Sequence, residues 1–205
     1  MIKTDWDTYY QKTNKVTSIT RKISEAILLE LIDKYVKKES ITIAEIGGAN
    51  SCFYPVFKKV LKPSNYIVID NNELGLKMFK NNYSNNVEVY NEDVLEMNID
   101  KKVDLVFSVG LVEHFDTGGT KKAIQNHFKL IDKGDICLIT FPTPTLLYRF
   151  ARKVLELAGL WIFTDERPLK IKEVLDTMKV LGDILEVKMN WKIILTQGII
   201  VAKKI

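Results

Sequence analysis

Cysteine, histidine and proline are scarce in this sequence: two, two and five in 205 residues. Cys52 and Cys137 lie far apart, form no CxxC pair and share no metal-type spacing with His114 or His127. A disulfide framework and a Cys/His metal site are thereby excluded, and both thiols are expected reduced. Long apolar runs are lacking as well. None approaches the roughly 18 residues that span a bilayer, and Met1 to Trp6 has no apolar signal-peptide core. The expectation is a cytoplasmic protein without a membrane span. A dominant charge is missing too: 30 Lys and Arg against 26 Asp and Glu give +4, too mild an excess to argue for nucleic acid. There is no internal repeat, low-complexity tract or linker, so the length predicts one domain over 1–205.

The stretch Ile41 to Ser51 stands out among what remains. β-branched residues at 41 to 43 and 46 fit a strand buried on both faces. Gly47, Gly48 and Ala49 then allow a tight turn and close backbone approach to a ligand. A second apolar strand, 66–70, ends in Asp70, placed to accept hydrogen bonds from a ribose diol. Further strands are expected at 87–90, 103–108 and 136–140, with helices at about 51–61, 74–80 and 120–131. The last of these helices is expected to stop at a left-handed Gly134. An earlier helical stripe runs through Ile23, Ile27, Leu28, Leu31, Ile32 and Tyr35, with Ser24 as an early cap. Helices at 146–159 and 169–180 precede two strands at 184–191 and 193–202. Those two are too close for a crossover and are therefore antiparallel neighbours. The alternation predicts an α/β, Rossmann-like, doubly wound parallel sheet.

Five segments in order, over roughly residues 40 to 205, resemble the class I S-adenosylmethionine-dependent methyltransferases of the small-molecule branch. They are Glu45-Ile-Gly-Gly-Ala-Asn-Ser51, Asp70, Glu92-Asp93-Val94, Ser108-Val-Gly-Leu-Val-Glu-His-Phe115 and the closing antiparallel pair. Ala49 and Ser51 depart from the family, which often has glycine there. The resemblance implies seven strands in the order 3-2-1-4-5-7-6 with strand seven antiparallel, and S-adenosyl-L-methionine as cofactor. It implies that Glu45, Gly47, Gly48 and Ala49 meet the methionine end, and that Asp70 with Asn71 takes the ribose. Asp93 and Val94 take the adenine, and Ser108 and Gly110 line the site beside them. No metal is implied: Asp116, Asp132 and Asp135 lack the arrangement of catechol-type relatives.

Methyl transfer is an in-line displacement, so the protein must align an acceptor and exclude water. His114 is the candidate base, an imidazole titrating near working pH; the plainer reading is a structural histidine. Glu113 is placed to hold the cofactor ammonium or to begin the next helix. Substrate contacts are expected from the variable parts, an N-terminal helical lid at 1–38 and an insertion at 141–168. Tyr9 and Tyr10, with Trp6, are candidates to close the site. Arg149, with Arg152 and Arg167, is a candidate to read an acidic acceptor. Leu155 to Phe163 is expected to pack as core rather than to form an apolar wall or touch a membrane surface. The leading expectation is methyl transfer to oxygen, or to nitrogen, of a small polar acceptor such as a sugar or sugar-linked intermediate. Two alternatives stand beside it. One is an RNA methyltransferase using Lys12, Lys15, Arg21, Lys22, Lys34, Lys37 and Lys38 along phosphates. The other is a non-catalytic module that keeps the fold.

Overall fold

The computed structural model describes residues 4–11, 15–83 and 86–205, with no side chains described at 11 and 15–18. Lys12 lies outside the described residues, as does the side chain of Lys15. A seven-stranded sheet runs in the order β3-β2-β1-β4-β5-β7-β6. The strands are β1 Thr42–Ile46, β2 Asn65–Asp70, β3 Val87–Asn91, β4 Val103–Val109, β5 Ile131–Pro142, β6 Gly182–Asn190 and β7 Gln197–Lys204. The first five are mutually parallel, and β7 runs antiparallel to both β5 and β6. Successive side chains of a strand point to opposite faces, and the buried residues divide accordingly. Ala44, Ile46, Ile67, Ile69, Val106 and Ile139 face one core. Ile43, Tyr66, Val68, Leu105, Phe107 and Leu138 face the other. Burial of each large apolar side chain contributes about 1.5–3 kcal/mol, which makes these continuous apolar runs central strands.

The helices are α1 Trp6–Gln11, α2 Lys15–Tyr35, α3 Tyr54–Val60, α4 Glu73–Asn82, α5 Thr117–Lys129, α6 Leu146–Leu157 and α7 Ile171–Met178. Helices α2, α3 and α4 supply residues to the second core, and α5 and α7 to the first. Ser24 does not cap a helix: α2 begins at Lys15, and Ser24 lies buried within it, its hydroxyl donating to Gln197 Oε1 at 3.3 Å. Helix α5 starts earlier than its apolar stripe because Asp116 accepts from Gly119 N at 2.7 Å. Gly134 is not its stop. The helix ends at Lys129, and Gly134 takes φ 93° in the irregular first part of β5. Strand β6 begins at Gly182, where a Cβ would lie 2.5 Å from the Lys203 carbonyl oxygen. Residues 191–196 form a turn instead of opening β7, because Thr196 O accepts from Thr143 N at 3.0 Å. The expected core packing of Leu155 to Phe163 is also corrected: Leu157, Leu160 and Ile162 are exposed.

Candidate functional site

The carboxyl ends of β1, β2 and β4 meet at one edge of the sheet. Gly47 continues β1 with φ 76° and donates to Ile69 O at 2.8 Å, a conformation that favours glycine. Gly48 sits directly on the Glu45 side chain, where a Cβ would come within 2.6 Å of Glu45 Cδ. Ala49 fits beside Gly75 of α4, which leaves room opposite its methyl group. A Cβ on Gly75 would lie 2.6 Å from Ala49 Cβ. Ser51 is also built in. Its hydroxyl accepts from Phe53 N at 3.2 Å and Tyr54 N at 3.1 Å, and it hydrogen-bonds Glu45. Tyr66 donates to Glu45 Oε2 at 2.6 Å. Burial pushes the Glu45 carboxyl up to about 7, against those two hydrogen bonds.

Asp70 joins two loops. Oδ2 accepts from Ala49 N at 3.0 Å and Oδ1 from Asn72 N at 2.8 Å. Burial raises its carboxyl above the usual range, partly offset by the backbone N–H groups of Asn72, Ala49 and Asn71. Each carboxylate oxygen keeps acceptor capacity for a ligand. The Asn71 side chain is exposed. Its neighbour Asn72 does more, accepting from Gly75 N at 2.7 Å and donating to Asp7 of α1 at 2.7 Å. The exit of β3 is tied in by Glu92 N donating to Asp70 O at 3.0 Å. Asp93 turns the chain there, Oδ1 accepting from Leu95 N at 2.8 Å. The Val94 side chain is buried in the first core, and its carbonyl accepts from Asn126 at 2.6 Å.

After β4, Gly110 takes φ 69° and donates to Thr140 O at 3.0 Å. A Cβ there would lie 3.3 Å from Glu113 Oε1. Leu111 stands against Gly47, which brings this segment to the first loop. Ser108 Oγ, Thr140 Oγ1 and Glu113 Oε2 are buried with no hydrogen-bond partner among the described residues. Burial raises the Glu113 carboxyl well above its ordinary value, with Glu166 and Asp165 adding to it. Burial therefore disfavours the anionic form of Glu113, and Asp116, not Glu113, caps the next helix.

His114 closes a short 3-10 turn, Val112–His114. Its Nδ1 lies 2.8 Å from Asp165 Oδ1, and the Thr4 hydroxyl donates to the same oxygen. Burial lowers the His114 pKa, with Asp165 pulling it partly back. Burial also opposes the Asp165 carboxylate, but hydrogen bonds from Thr4 and His114 outweigh it and hold the group below the usual range. Ring centroids of Trp6 and Phe163 lie 5.0 and 6.1 Å from that of His114. Tyr9 packs on Trp6, Tyr10 and Phe163 and accepts from Arg21 at 3.1 Å. Tyr10 lies over the start of α4, 3.1 Å from the position of a Gly75 Cβ. Burial and then Asp70 hold its phenol protonated.

Asp165, Thr4, Phe163 and Gly75 are the site residues that sequence reasoning missed. Asp165 stands in Thr164-Asp-Glu-Arg-Pro168, ahead of the helix expected at 169–180 and observed from Ile171. Arg149 is exposed on α6, and its side chain makes no ion pair or hydrogen bond among the described residues. Arg167 pins the loop after β4 to α7 through Glu173, Thr120 and Phe115 O, while Arg152 holds Glu156 and Glu166 O. The cations expected to track RNA are largely spent: Lys34 on Glu186, Lys38 on Asp104 and Asp135, Lys37 on Asp33 O and Arg21 on Tyr9. No group of His, Cys, Asp and Glu able to hold a metal ion occurs among the described residues.

No protein-family model matches the sequence, and no curated protein matches it. Solved structures do. The magnesium protoporphyrin IX methyltransferase ChlM of Synechocystis PCC 6803, with bound S-adenosylhomocysteine, superposes with a TM-score of 0.75 at 16% identity, over 98% of this chain and 94% of that one. The N-methyltransferase NodS of Bradyrhizobium japonicum WM9, in complex with the same product, gives 0.65 at 13% identity, over 89% and 87%. ChlM with bound S-adenosylmethionine gives 0.68 at 14% identity, over 95% and 86%. At such identities the likeness is one of fold: the chain has the Rossmann-like fold of S-adenosylmethionine-dependent methyltransferases, with its antiparallel closing strands.

Proposed function

We propose that this chain is an S-adenosylmethionine-dependent methyltransferase that acts on a hydroxyl of a small polar acceptor, sugars and sugar-linked intermediates included. The fit to the cofactor rests on the chain's own residues. Gly47 and Gly48 form a cradle that a Cβ would fill or strain. Asp70 offers paired acceptors to a diol, giving charge-assisted hydrogen bonds. Asp93 retains an acceptor oxygen for an amine beside Val94. When bound, S-adenosylmethionine supplies a methyl group already activated by its sulfonium.

The observation that carries the choice of a hydroxyl is the pairing of His114 with Asp165. An ionised Asp165 can only accept, so Nδ1 of His114 carries the hydrogen and Nε2 presents a lone pair. Nε2 of His114 would take the proton of the acceptor hydroxyl, and Asp165 would stabilise the imidazolium that forms. Trp6 and Phe163 wall the imidazole and exclude water. A general base of this kind contributes about 10²–10⁴-fold. His114→Ala is therefore expected to cut turnover on a responsive sugar acceptor by about that factor while S-adenosylhomocysteine affinity is kept. The wild-type rate should fall on the acid side with an apparent pKa below the usual histidine value of about 6.5. Asp165→Asn removes the influence that raises His114, so that pKa should fall further as the rate drops. Unchanged turnover in His114→Ala would remove the base from the mechanism.

A further inference from the structure

Helix α6 turns its apolar side outward. Tyr148, Arg152 and Leu155 face the protein: Tyr148 is buried and donates to Glu166, and Arg152 donates to Glu166 O at 3.0 Å. Leu146, Leu147, Phe150, Val154 and Leu157 are all exposed, and at helical spacing they fall within an arc of about 100°. Leu146 is 85% exposed, Leu157 77% and Phe150 71%. The apolar surface continues past the end of the helix through Leu160 and Ile162. A second element adjoins it. Thr145, which caps α6, bonds Thr196 at 2.7 Å, and the turn just before Thr196 exposes Trp191 and Ile194. Arg149 and Lys153 border the arc on one side, exposed and without an ion pair among the described residues.

We propose that α6 and the turn between β6 and β7 form a docking surface for an anionic lipid bilayer. A helix lying in the membrane interface has this build: an apolar face of Leu and Phe, cations on its border, and too little length to span. The charges select the occupant. An anionic headgroup layer complements Arg149 and Lys153. A two-fold contact with a second copy would set this cationic, self-facing patch against itself. The helix also grips Glu166, the neighbour of Asp165, so docking would hold the loop that carries Asp165 near the lipid surface. The proposal does not rest on methyl transfer, and its readout is independent of activity.

The test is flotation of the full chain with vesicles of phosphatidylcholine alone and of phosphatidylcholine mixed with phosphatidylglycerol. The protein is expected to float with the mixed vesicles and to be released by high salt. Phe150→Asp with Leu157→Asp should weaken partition on the order of a hundredfold. Arg149→Gln with Lys153→Gln should weaken it roughly tenfold on mixed vesicles. All four positions are exposed, so circular dichroism of both variants should match the parent. Three results would overturn the proposal: no flotation with mixed vesicles at low salt, flotation that both variants retain, or a self-association by sedimentation that the aspartate pair dissolves.

Discussion

At the scale of single residues, the first loop trades one glycine for another. Ala49 occupies a place where close packing demands a small residue, and Gly75, 26 positions on, supplies the missing space. The trade predicts a coupled pair. Gly75→Ala should lower stability by about 1–3 kcal/mol through overpacking, beyond the small gain expected for alanine inside a helix. Adding Ala49→Gly should restore most of that loss. Thermal melting of the two single variants and the double variant measures the coupling, and additive effects would show that the methyl group and Gly75 do not share one space. The sequence could single out Glu45 and Asp70 as candidates because they sit near the carboxyl ends of apolar strands, and His114 because it lies in the segment that follows one. Gly75 and Asp165 were not, because their contacts depend on chain segments brought together only by the fold.

At the scale of elements, strands were read best, since central strands carry unbroken apolar runs. Helix ends were read less well: Asp116 and the Gly118-Gly119 pair start α5 before its apolar stripe begins. The antiparallel ending followed from the short spacing alone, while the turn at 191–196 depends on Thr143, far away in sequence. Helix α6 shows the sharpest limit. Its 3.6-residue period is plain in the sequence, but a period says which side is apolar and not which side faces the protein. Helix α1 has only six residues, too few to hold a helix alone. It stands by its contacts: Asp7 on Asn72, Trp6 on His114 and Tyr10 over Gly75. On the reading proposed above, α1 closes over the cradle and should be held more firmly when the product is bound. Hydrogen exchange at residues 6–11 is expected to slow on adding S-adenosylhomocysteine; unchanged exchange there, with slowing at 47–49, would separate α1 from the site.

At the scale of the molecule, burial raises the pKa of several carboxyl groups at the site, Glu113 above all. An acid whose folded pKa is raised binds its proton more tightly in the native state. Its stabilising effect is complete below the unfolded value of about 4.5 and is lost as pH rises toward the folded one. Gln keeps the neutral shape, so Glu113→Gln should raise the melting temperature at pH 8 and make little difference near pH 4. An equal shift at both would place the gain elsewhere than in the charge. These buried acids, the cradle and the aromatic cover all converge on the edge where β1, β2 and β4 end, and the account stands or falls on what binds there. Titration calorimetry of the full chain with S-adenosylhomocysteine tests that most directly. The account predicts saturable one-to-one binding that Asp70→Ala abolishes or weakens by about tenfold or more, with folding intact. No heat of binding at millimolar ligand, or binding that Asp70→Ala leaves unchanged, would contradict it.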